Sequence, residues 1–477
     1  MSEDKRNQKL IKNTAILSVG TICTKGLMFL MTPLFTRWLS QEGYGTFDLL
    51  LTYVTLLMPL FTLDSNEAVF RFLLDTDEDK KRKKIISTAS FLNLTGLLIS
   101  FIAISVIALL RTEIRGILIY FYILLVAETF YTITTRIVRG IKKIPIYAIC
   151  SLLFVIAMAV SSFILIQILQ MGLQGIILGY TIGYVFCTVI MLVVSRAYAY
   201  ISISGFDFSL LKDMLRYSIP LLPAEISWWI VNVSGRTIIS IFLGTSYNAI
   251  YAVANKFPNL CQTLFSVFHL SWQENVVETF QDQDRDVYYS YIFNGIITIL
   301  SSICMVIISM NFLIYEKLFQ QEYFTGYYIT PLLVASVLFS MLSQFLGSIY
   351  LAQFNTKKSG GSAAVAAVVN IIIHLALIKG IGLYAAAIST AVSYFSLFLV
   401  RYFDVVKKVR LVICNKTKIC LILLVYFVAA NYIYISWFNW INVLVAVIIF
   451  FLINKEIVTT YWTKKYKLKK LKFNLYR

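Results

Sequence analysis

Long apolar stretches dominate this chain and fix the class of structure that it can form. A helix crosses the hydrocarbon core of a bilayer with about 20 apolar residues, and the 477-residue sequence holds fourteen stretches of that kind. They are 13–37, 44–67, 85–110, 116–135, 146–168, 172–195, 217–242, 248–270, 289–314, 327–353, 362–378, 381–400, 417–435 and 437–454. Because 59% of the residues are hydrophobic and only 14% are charged, we predict an all-α integral membrane protein with about 14 transmembrane helices.

Short loops between these stretches limit the chemistry that the chain can perform. The longest connection covers roughly residues 196–216, which leaves no room for a soluble catalytic domain. The phosphate-binding sequence GxxxxGK[ST] is missing, and the seven cysteines are scattered without the paired spacing of a disulfide framework or a metal site. We therefore predict no enzymatic activity, no cofactor and no metal.

Positive charges are distributed unevenly along the chain, whose formal net charge is +18. Alternate loops hold 34 of the 42 Lys and Arg residues. These segments are 5–12, 71–84, 136–143, 196–216, Arg285, 357–358, 401–418 and 455–477. By the positive-inside rule both termini are cytoplasmic, and the basic tail is expected to contact anionic lipids. Nucleic-acid binding is not predicted, since the membrane explains the charge.

An internal duplication predicts two similar halves. Residues 171–184 align with 381–394 at an offset of 210, and 39–44 align with 242–247 at an offset near 203. Six spans separate the copies, so both enter the membrane in the same direction and are related by a parallel pseudo-twofold axis. We predict two six-helix lobes plus two C-terminal helices: an N-terminal lobe at 1–205, a C-terminal lobe at 206–405, and a last pair of helices with a basic cytoplasmic tail at 406–477.

Helix breakers and polar stripes recur at corresponding places in the two halves. Prolines are expected to interrupt spans one, two, seven and eight, a pattern that points to a substrate site. Lys25 lies about twelve residues from each end of its span, roughly 18 Å along the helix. A cation there costs about 2.5–3.5 kcal/mol, so we expect Lys25 to face a wet cavity or an acidic partner.

The candidate site residues fall into three groups. The cations proposed to bind substrate are Lys25, Arg236 and Lys256, although the last two also fit snorkelling to the membrane surface. The polar residues expected to line the cavity are Thr21, Thr32, Asp48, Thr52, Trp229, Asn232, Asn255 and Asn259, whose alternative role is to pack helices together. The acids considered for ion coupling are Asp48, Glu128 and Glu225. His374 is expected to be a packed polar residue.

Several loose motifs, in a specific order along nearly the whole chain, carry a family resemblance. They are Leu39-Ser-x-x-x-Tyr44-Gly45, Lys142-Lys-Ile-Pro-Ile-Tyr-Ala148, Ile219-Pro-Leu-Leu-Pro-Ala-Glu-Ile-Ser-Trp-Trp229, Val369-Asn370 and Gly380-Ile-Gly-Leu-Tyr-Ala-Ala-Ala-Ile-Ser-Thr390. The chain resembles the Wzx-type oligosaccharide flippases of the MOP superfamily, which are related to MATE transporters and lipid II flippases. It departs from that pattern at Gly235-Arg236, where relatives often have Asp-Arg.

The resemblance implies an alternating-access flippase in a bacterial inner membrane. Such a protein moves an undecaprenyl-diphosphate-linked oligosaccharide from the cytoplasmic to the outer leaflet, for capsule, O-antigen or lipopolysaccharide assembly, and works beside glycosyltransferases and a glycan polymerase. The alternatives are a MATE-like exporter of organic cations, which needs an acidic cavity, and a membrane polymerase or ligase, which usually has a large outer loop. The sequence leaves the driving force open between membrane potential and proton or cation antiport.

Overall fold

The computed structural model describes residues 3–202, 205–353 and 356–455. Side chains are described from Gly20 onward, except at 223–225, 227–232, 270, 274, 278, 351, 356 and 357. The described residues are helical throughout, with no strand. Contacts between Cα atoms divide the chain into an N-terminal unit, Met1–Val233, and a C-terminal unit, Ser234–Arg477. The division falls inside one helix, Leu222–Phe242.

Sixteen α-helices make up the described chain. In order they are α1 (Glu3–Trp38), α2 (Gln41–Thr62), α3 (Ser65–Leu74), α4 (Asp79–Leu110), α5 (Arg115–Gly140), α6 (Ile144–Phe163), α7 (Gly172–Ser195), α8 (Phe208–Ser218), α9 (Leu222–Phe242), α10 (Thr245–Glu278), α11 (Arg285–Leu318), α12 (Thr325–Ala352), α13 (Thr356–Ile381), α14 (Tyr384–Val405), α15 (Asn415–Ala430) and α16 (Ser436–Ile453). Each of the fourteen predicted spans overlaps one long helix, so the all-α membrane architecture is confirmed. The two short helices α3 and α8 were not predicted from the sequence.

Ten helical segments of the described chain are long and apolar enough to cross a membrane. The four predicted spans outside this set correspond to α1, α9, α10 and α15. The helices α1 and α10 carry the predicted polar stripes, and α15 has only 16 residues. The described side chains of α9 cover only Val233–Phe242, an apolar segment shorter than a span.

The duplicated sequences adopt the same local structure, as the predicted internal repeat requires. Gly172 and Gly382, which are 210 residues apart, both have a left-handed backbone with φ of 53° and 57°. Gly172 begins α7 and Gly382 lies two residues before α14. The two helices pack on equivalent neighbours: α7 packs on α5 and α6, and α14 packs on α12 and α13. Glycine is favoured at both positions because it adopts positive φ without strain.

Small residues along α7 and α14 bring each helix close to its neighbour. Gly179 faces α6, where a Cβ atom would lie 2.9 Å from the backbone nitrogen of Ser162, and a Cβ at Gly183 would lie 2.9 Å from the Cβ of Met158. The residue of α14 that matches Gly183 is Ser393, whose hydroxyl donates to the carbonyl of Ala366 on α13 at 2.6 Å. Close backbone approach of this kind is a common basis of helix association in membranes.

The short helices α3 and α8 pack on α4 and α5 beside the Lys- and Arg-rich loops of the N-terminal unit. A hydrophobic cluster joins them to α4 and α5 through residues such as Val69, Ile86, Ile137 and Met214. Asp207 caps α8 by accepting hydrogen bonds from two backbone N–H groups, and it pairs with Lys84 of α4 at 2.9 Å. The hydrogen bond from Lys84 lowers the pKa of the Asp207 carboxyl.

Three of the predicted proline interruptions are wrong. The helices α1, α2 and α10 continue through Pro33, Pro59 and Pro258, because a proline removes only one hydrogen bond, which a long helix within a bundle tolerates. The helix α2 ends at Thr62, where Leu63 and Asp64, with φ of 50° and 51°, separate it from α3.

Candidate functional site

Lys25 of α1 lies close to an acidic residue of α5. The Lys25 side chain is exposed on the N-terminal unit, and its ammonium interacts electrostatically with the carboxylate of Glu128. Glu128 is half-buried and also hydrogen-bonds the hydroxyl of Tyr184 on α7. Its Oε2 atom is shielded and makes no hydrogen bond to the described atoms. The pairing of Lys25 with an acid offsets part of the cost of a charge within a membrane helix.

Asp48 of α2 lies beside the same group of residues. It is 7% exposed and interacts electrostatically with Tyr180 of α7, which is also within electrostatic range of Glu128. The ring of Tyr180 packs on Phe47 with centroids 4.8 Å apart, and its hydroxyl donates weakly to the sulfur of Met28 at 3.9 Å. Four helices, α1, α2, α5 and α7, therefore bring one cation, two acids and two tyrosines together. We call Lys25, Asp48, Glu128, Tyr180 and Tyr184 the Lys25–Glu128 cluster.

The threonines of the predicted stripes are used mainly within their own helices. The Thr32 hydroxyl donates to the carbonyl of Met28 at 3.2 Å, and Thr32 is 2% exposed. Thr52 is also buried, and its carbonyl accepts a hydrogen bond from the Thr55 hydroxyl at 2.7 Å. Thr21 is half-buried. Hydroxyls that donate to the preceding turn satisfy their polarity locally, which is the packing role that the sequence left open.

The predicted residues of the C-terminal unit are less concentrated. Arg236 and Lys256 are half-buried, and Asn259 is exposed. The amide of Asn255 donates to the carbonyl of Tyr251, one turn earlier, at 2.9 Å. The three remaining predicted site residues lie outside the described side chains: Glu225, Trp229 and Asn232.

A polar network that the sequence analysis missed joins α10 to α12. The ring of His269 lies 3.2 Å from both the carbonyl of Gln344 and the hydroxyl of Ser348. The side-chain amides of Gln262 and Gln344 pair at 3.1 Å. His269 lies within the predicted span 248–270, about two turns after Gln262, so helical spacing could have placed it on the same stripe.

Arg401 is the second feature that sequence reasoning placed wrongly. It was counted among the loop cations, yet it lies on α14 and is 6% exposed. Its guanidinium donates to three neutral acceptors, the carbonyl of Ser343 on α12 at 2.7 Å and, on α13, the hydroxyl of Ser362 at 3.0 Å and the carbonyl of Ser359 at 3.1 Å. A buried charge needs such a set of hydrogen bonds, and here they link three helices.

Gly235 leaves a small space where relatives often carry an acid. A Cβ atom built at Gly235 would lie 3.5 Å from the Tyr251 hydroxyl and 3.7 Å from Cε1 of His374. His374 is fully buried, and neither ring nitrogen has a hydrogen-bond partner among the described atoms. The ion pair with Arg236 that a carboxylate at position 235 would form cannot form here.

The family comparison covers more than half of the chain. A family model described as "Polysaccharide biosynthesis protein" matches residues 10–271. This match begins within α1, continues through α9 and includes most of α10. No curated protein matches the sequence.

Solved structures with a similar fold include a lipid flippase and multidrug transporters. The inward closed conformation of the lipid II flippase MurJ matches with a TM-score of 0.65 and 15% identity, over 92% of this chain and 99% of that chain. An inward-facing multidrug resistance MATE family transporter of the MOP superfamily matches with a TM-score of 0.62 and 15% identity, over 84% of this chain and 96% of that one. An outward-facing transporter of the same description gives a TM-score of 0.57 and 14% identity, over 87% and 96%.

Proposed function

Because the chain belongs to the polysaccharide biosynthesis protein family, we propose that it moves undecaprenyl-diphosphate-linked oligosaccharides across a bacterial inner membrane by alternating access. The proposed direction is from the cytoplasmic to the outer leaflet, with both termini in the cytoplasm. Glycosyltransferases would supply the substrate, and a polymerase would consume it. A sugar headgroup with a diphosphate cannot cross hydrocarbon unaided, so the protein has to replace its hydration.

The Lys25–Glu128 pair is the observation that carries the proposal. A lysine in the middle of a membrane helix is costly, yet Lys25 is exposed and within electrostatic range of an acid on another helix. In the empty protein the nearest acid shown to act on Lys25 is Glu128, through electrostatic attraction and without a salt bridge between the described atoms. A diphosphate carries a charge of about −2, whereas the Glu128 carboxylate carries −1. The attraction between opposite charges is strong in a low-dielectric site, so the diphosphate can compete with Glu128 for the Lys25 ammonium. Binding would therefore exchange Glu128 for the substrate as the partner of Lys25.

Further cations are proposed for the same headgroup. Arg236 and Lys256 lie on α9 and α10, which correspond to α1 and α2 in the internal repeat. Both are half-buried. Their side chains would contact the diphosphate together with Lys25, and hydroxyl and amide groups would meet the sugars.

Membrane potential is the first of two proposed driving forces, and it requires no ATP. A cell interior that is negative by 100 mV favours outward transfer of about two negative charges by roughly 4–5 kcal/mol. Proton or cation antiport through Asp48, Glu128 or Glu225 is the other coupling scheme. The two schemes differ in whether an imposed proton gradient alters transport at constant potential.

The test is transport by the full-length protein in proteoliposomes. The substrate is an undecaprenyl-diphosphate oligosaccharide with a fluorescent sugar, and quenching from outside reports its transfer between leaflets. Lys25→Ala is expected to slow transfer by about tenfold or more, the loss of one hydrogen bond to a charged group. Lys25→Arg should keep most of the activity.

A matched control is Lys317→Ala, which removes an exposed lysine that pairs with Glu316 in the last turn of α11. This variant should transfer substrate at the rate of the unmodified protein. Equal transfer by the Lys25→Ala and unmodified proteins would remove Lys25 from the mechanism. Absence of transfer by the unmodified protein itself would reject the flippase proposal.

A MATE-like exporter of organic cations is the second candidate. The observation in its favour is that the Lys25–Glu128 cluster holds two acids, Asp48 and Glu128, against one lysine. The same proteoliposomes, loaded with tetraphenylphosphonium, distinguish the two functions. Cation efflux that requires Glu128 and is unaffected by Lys25→Ala would support the exporter in place of the flippase.

A further inference from the structure

An apolar groove lies between α5 and α7, within the membrane-spanning part of the N-terminal unit. Its volume is about 380 Å³, and its walls include Ile123, Val126 and Phe130 of α5 and Val185 and Val189 of α7. The residues at its mouth are well exposed: Phe130 is 38%, Val185 49% and Val189 54% exposed. The groove therefore opens on the exposed surface of two helices that are long and apolar enough to cross a membrane.

The three hydroxyl groups that line the groove have no proton to offer an occupant. The Tyr122 hydroxyl donates to the carbonyl of Leu97 at 3.1 Å. Thr181 and Thr188 donate to the carbonyls one turn earlier in α7, at 2.9 and 2.7 Å. All other lining side chains are apolar. A polar molecule would lose its hydrogen bonds to water on entering and could recover only those that it donates to these three hydroxyl oxygens, so the groove favours hydrocarbon.

We propose that this groove binds one acyl chain of a membrane phospholipid. The mouth consists of exposed apolar residues on two candidate membrane spans, so the bilayer would supply the occupant without a path through water. Water does not fill apolar cavities, and an empty groove would forfeit the dispersion contacts of its walls. The volume lies at the lower end of the range for small-molecule sites, about 300–1,000 Å³, which suits a segment of a single chain.

The site is independent of the proposed transport function, although it adjoins the Lys25–Glu128 cluster. Ala127 and Thr181 line the groove, and each is next in sequence to a cluster residue, Glu128 or Tyr180. Successive residues of a helix point about 100° apart, so the cluster and the groove occupy neighbouring faces of the same two helices. A bound acyl chain would fill the lipid side of the contact between α5 and α7.

The experiment uses the full-length protein in nanodiscs that contain phosphatidylglycerol with a diazirine in the middle of one acyl chain. After irradiation, mass spectrometry measures labelling of α5 and α7. Val185→Trp places a large side chain in the groove. The control is Ile182→Trp, because Ile182 lies on the same helix, is 45% exposed and does not line the groove.

Labelling is expected to concentrate at the groove residues Val126 and Val189. Val185→Trp should reduce it about tenfold, the effect of excluding roughly two methylene groups, and Ile182→Trp should leave it unchanged. If Val185→Trp fails to fold, Val189→Trp provides the same obstruction.

Two results would overturn the proposal. In the first, the probe labels exposed residues elsewhere, such as Leu98 and Ile102, as strongly as it labels the groove, and Val185→Trp does not reduce the labelling. Leu98 and Ile102 are 62% and 63% exposed. In the second, a polyprenyl-diphosphate photoprobe labels the groove while the phospholipid probe does not.

Discussion

Gly347 of α12 makes room for the buried guanidinium of Arg401, and replacing it with alanine tests this arrangement. A Cβ atom at position 347 would lie 2.6 Å from Nη1 of Arg401, whereas nonbonded heavy atoms settle at about 3.5–4.0 Å. The guanidinium would have to retreat by about 1 Å. That movement lengthens the 2.7 Å hydrogen bond from Nη1 to the carbonyl of Ser343 beyond the range of about 2.7–3.2 Å for N–H···O bonds.

The expected net effect of Gly347→Ala combines a loss and a gain. A hydrogen bond from a charged group contributes about 1.5–3 kcal/mol, and alanine within a helix gains about 1 kcal/mol over glycine. Gly347→Ala should therefore destabilise the protein by roughly 0.5–2 kcal/mol. Gly295 of α11 is the matched control, since a Cβ atom there would meet nothing within 4 Å. Gly295→Ala should stabilise the protein by up to about 1 kcal/mol.

The assay is the apparent melting temperature of the purified protein in detergent, measured for both single variants and for a double-mutant cycle with Arg401→Met. Gly347→Ala should lower the melting temperature and Gly295→Ala should raise it. In the Arg401→Met background the clash is gone, so Gly347→Ala should become neutral or stabilising. An equal loss from Gly347→Ala with and without the guanidinium would refute the reasoning.

Two further predictions concern the N-terminal unit. Gly179→Ala places a Cβ atom against the backbone of Ser162 and should destabilise the protein by about 1–3 kcal/mol. The control is Gly26→Ala, which should not destabilise it because nothing lies within 4 Å of the new Cβ atom. The melting temperature in detergent is measured for both variants. The pKa of the Asp207 carboxyl is lowered beside Lys84. The ionised carboxylate therefore stabilises the folded protein at pH values above about 3.9, the pKa of an aspartate in the unfolded chain. This stabilisation is lost as the pH falls through the lower pKa of Asp207 in the folded protein. Asp207→Ala should therefore lower the melting temperature at pH 7 more than at pH 3, and an equal reduction at both pH values would contradict this account.

The architecture could be predicted from the sequence because membrane insertion imposes long apolar helices. Each of the fourteen predicted spans overlaps a long helix, and ten of those helices qualify as membrane spans by length and composition in the described residues. The predicted repeat rests on short matches such as 171–184 with 381–394. The short helices α3 and α8 were not found, since they lie among charged residues beside the Lys- and Arg-rich loops and only about ten residues of each are helical. Their apolar faces are buried by tertiary contacts with α4 and α5, which local sequence does not reveal.

The candidate site was less predictable, because charge and polarity in a sequence do not show which helix a side chain meets. Lys25 was expected to need a partner, and three acids were considered. Only the fold brings Glu128, more than one hundred residues away, within its electrostatic range. Arg401 was predicted to lie in a solvent-exposed loop, but the fold buries it. Its position near the end of a span suggested a loop, but the small side chains around it, including Gly347, allow the guanidinium to enter the packed helices.

Hydrogen-bond accounting separates polar residues that hold the bundle together from those available for chemistry. Three threonine hydroxyls, those of Thr32, Thr181 and Thr188, donate hydrogen bonds to backbone carbonyls of their own helices. They therefore contribute little to ligand recognition, although they lie on a predicted stripe or in the groove. Glu128 retains a carboxylate oxygen without a hydrogen bond to the described atoms, and Lys25 is exposed beside it. A buried polar atom without a partner costs about 1–3 kcal/mol. A proton on Glu128, or a sugar hydroxyl that donates to it, would remove that cost, which is why Lys25 and Glu128 are better candidates for substrate exchange than the more numerous threonines.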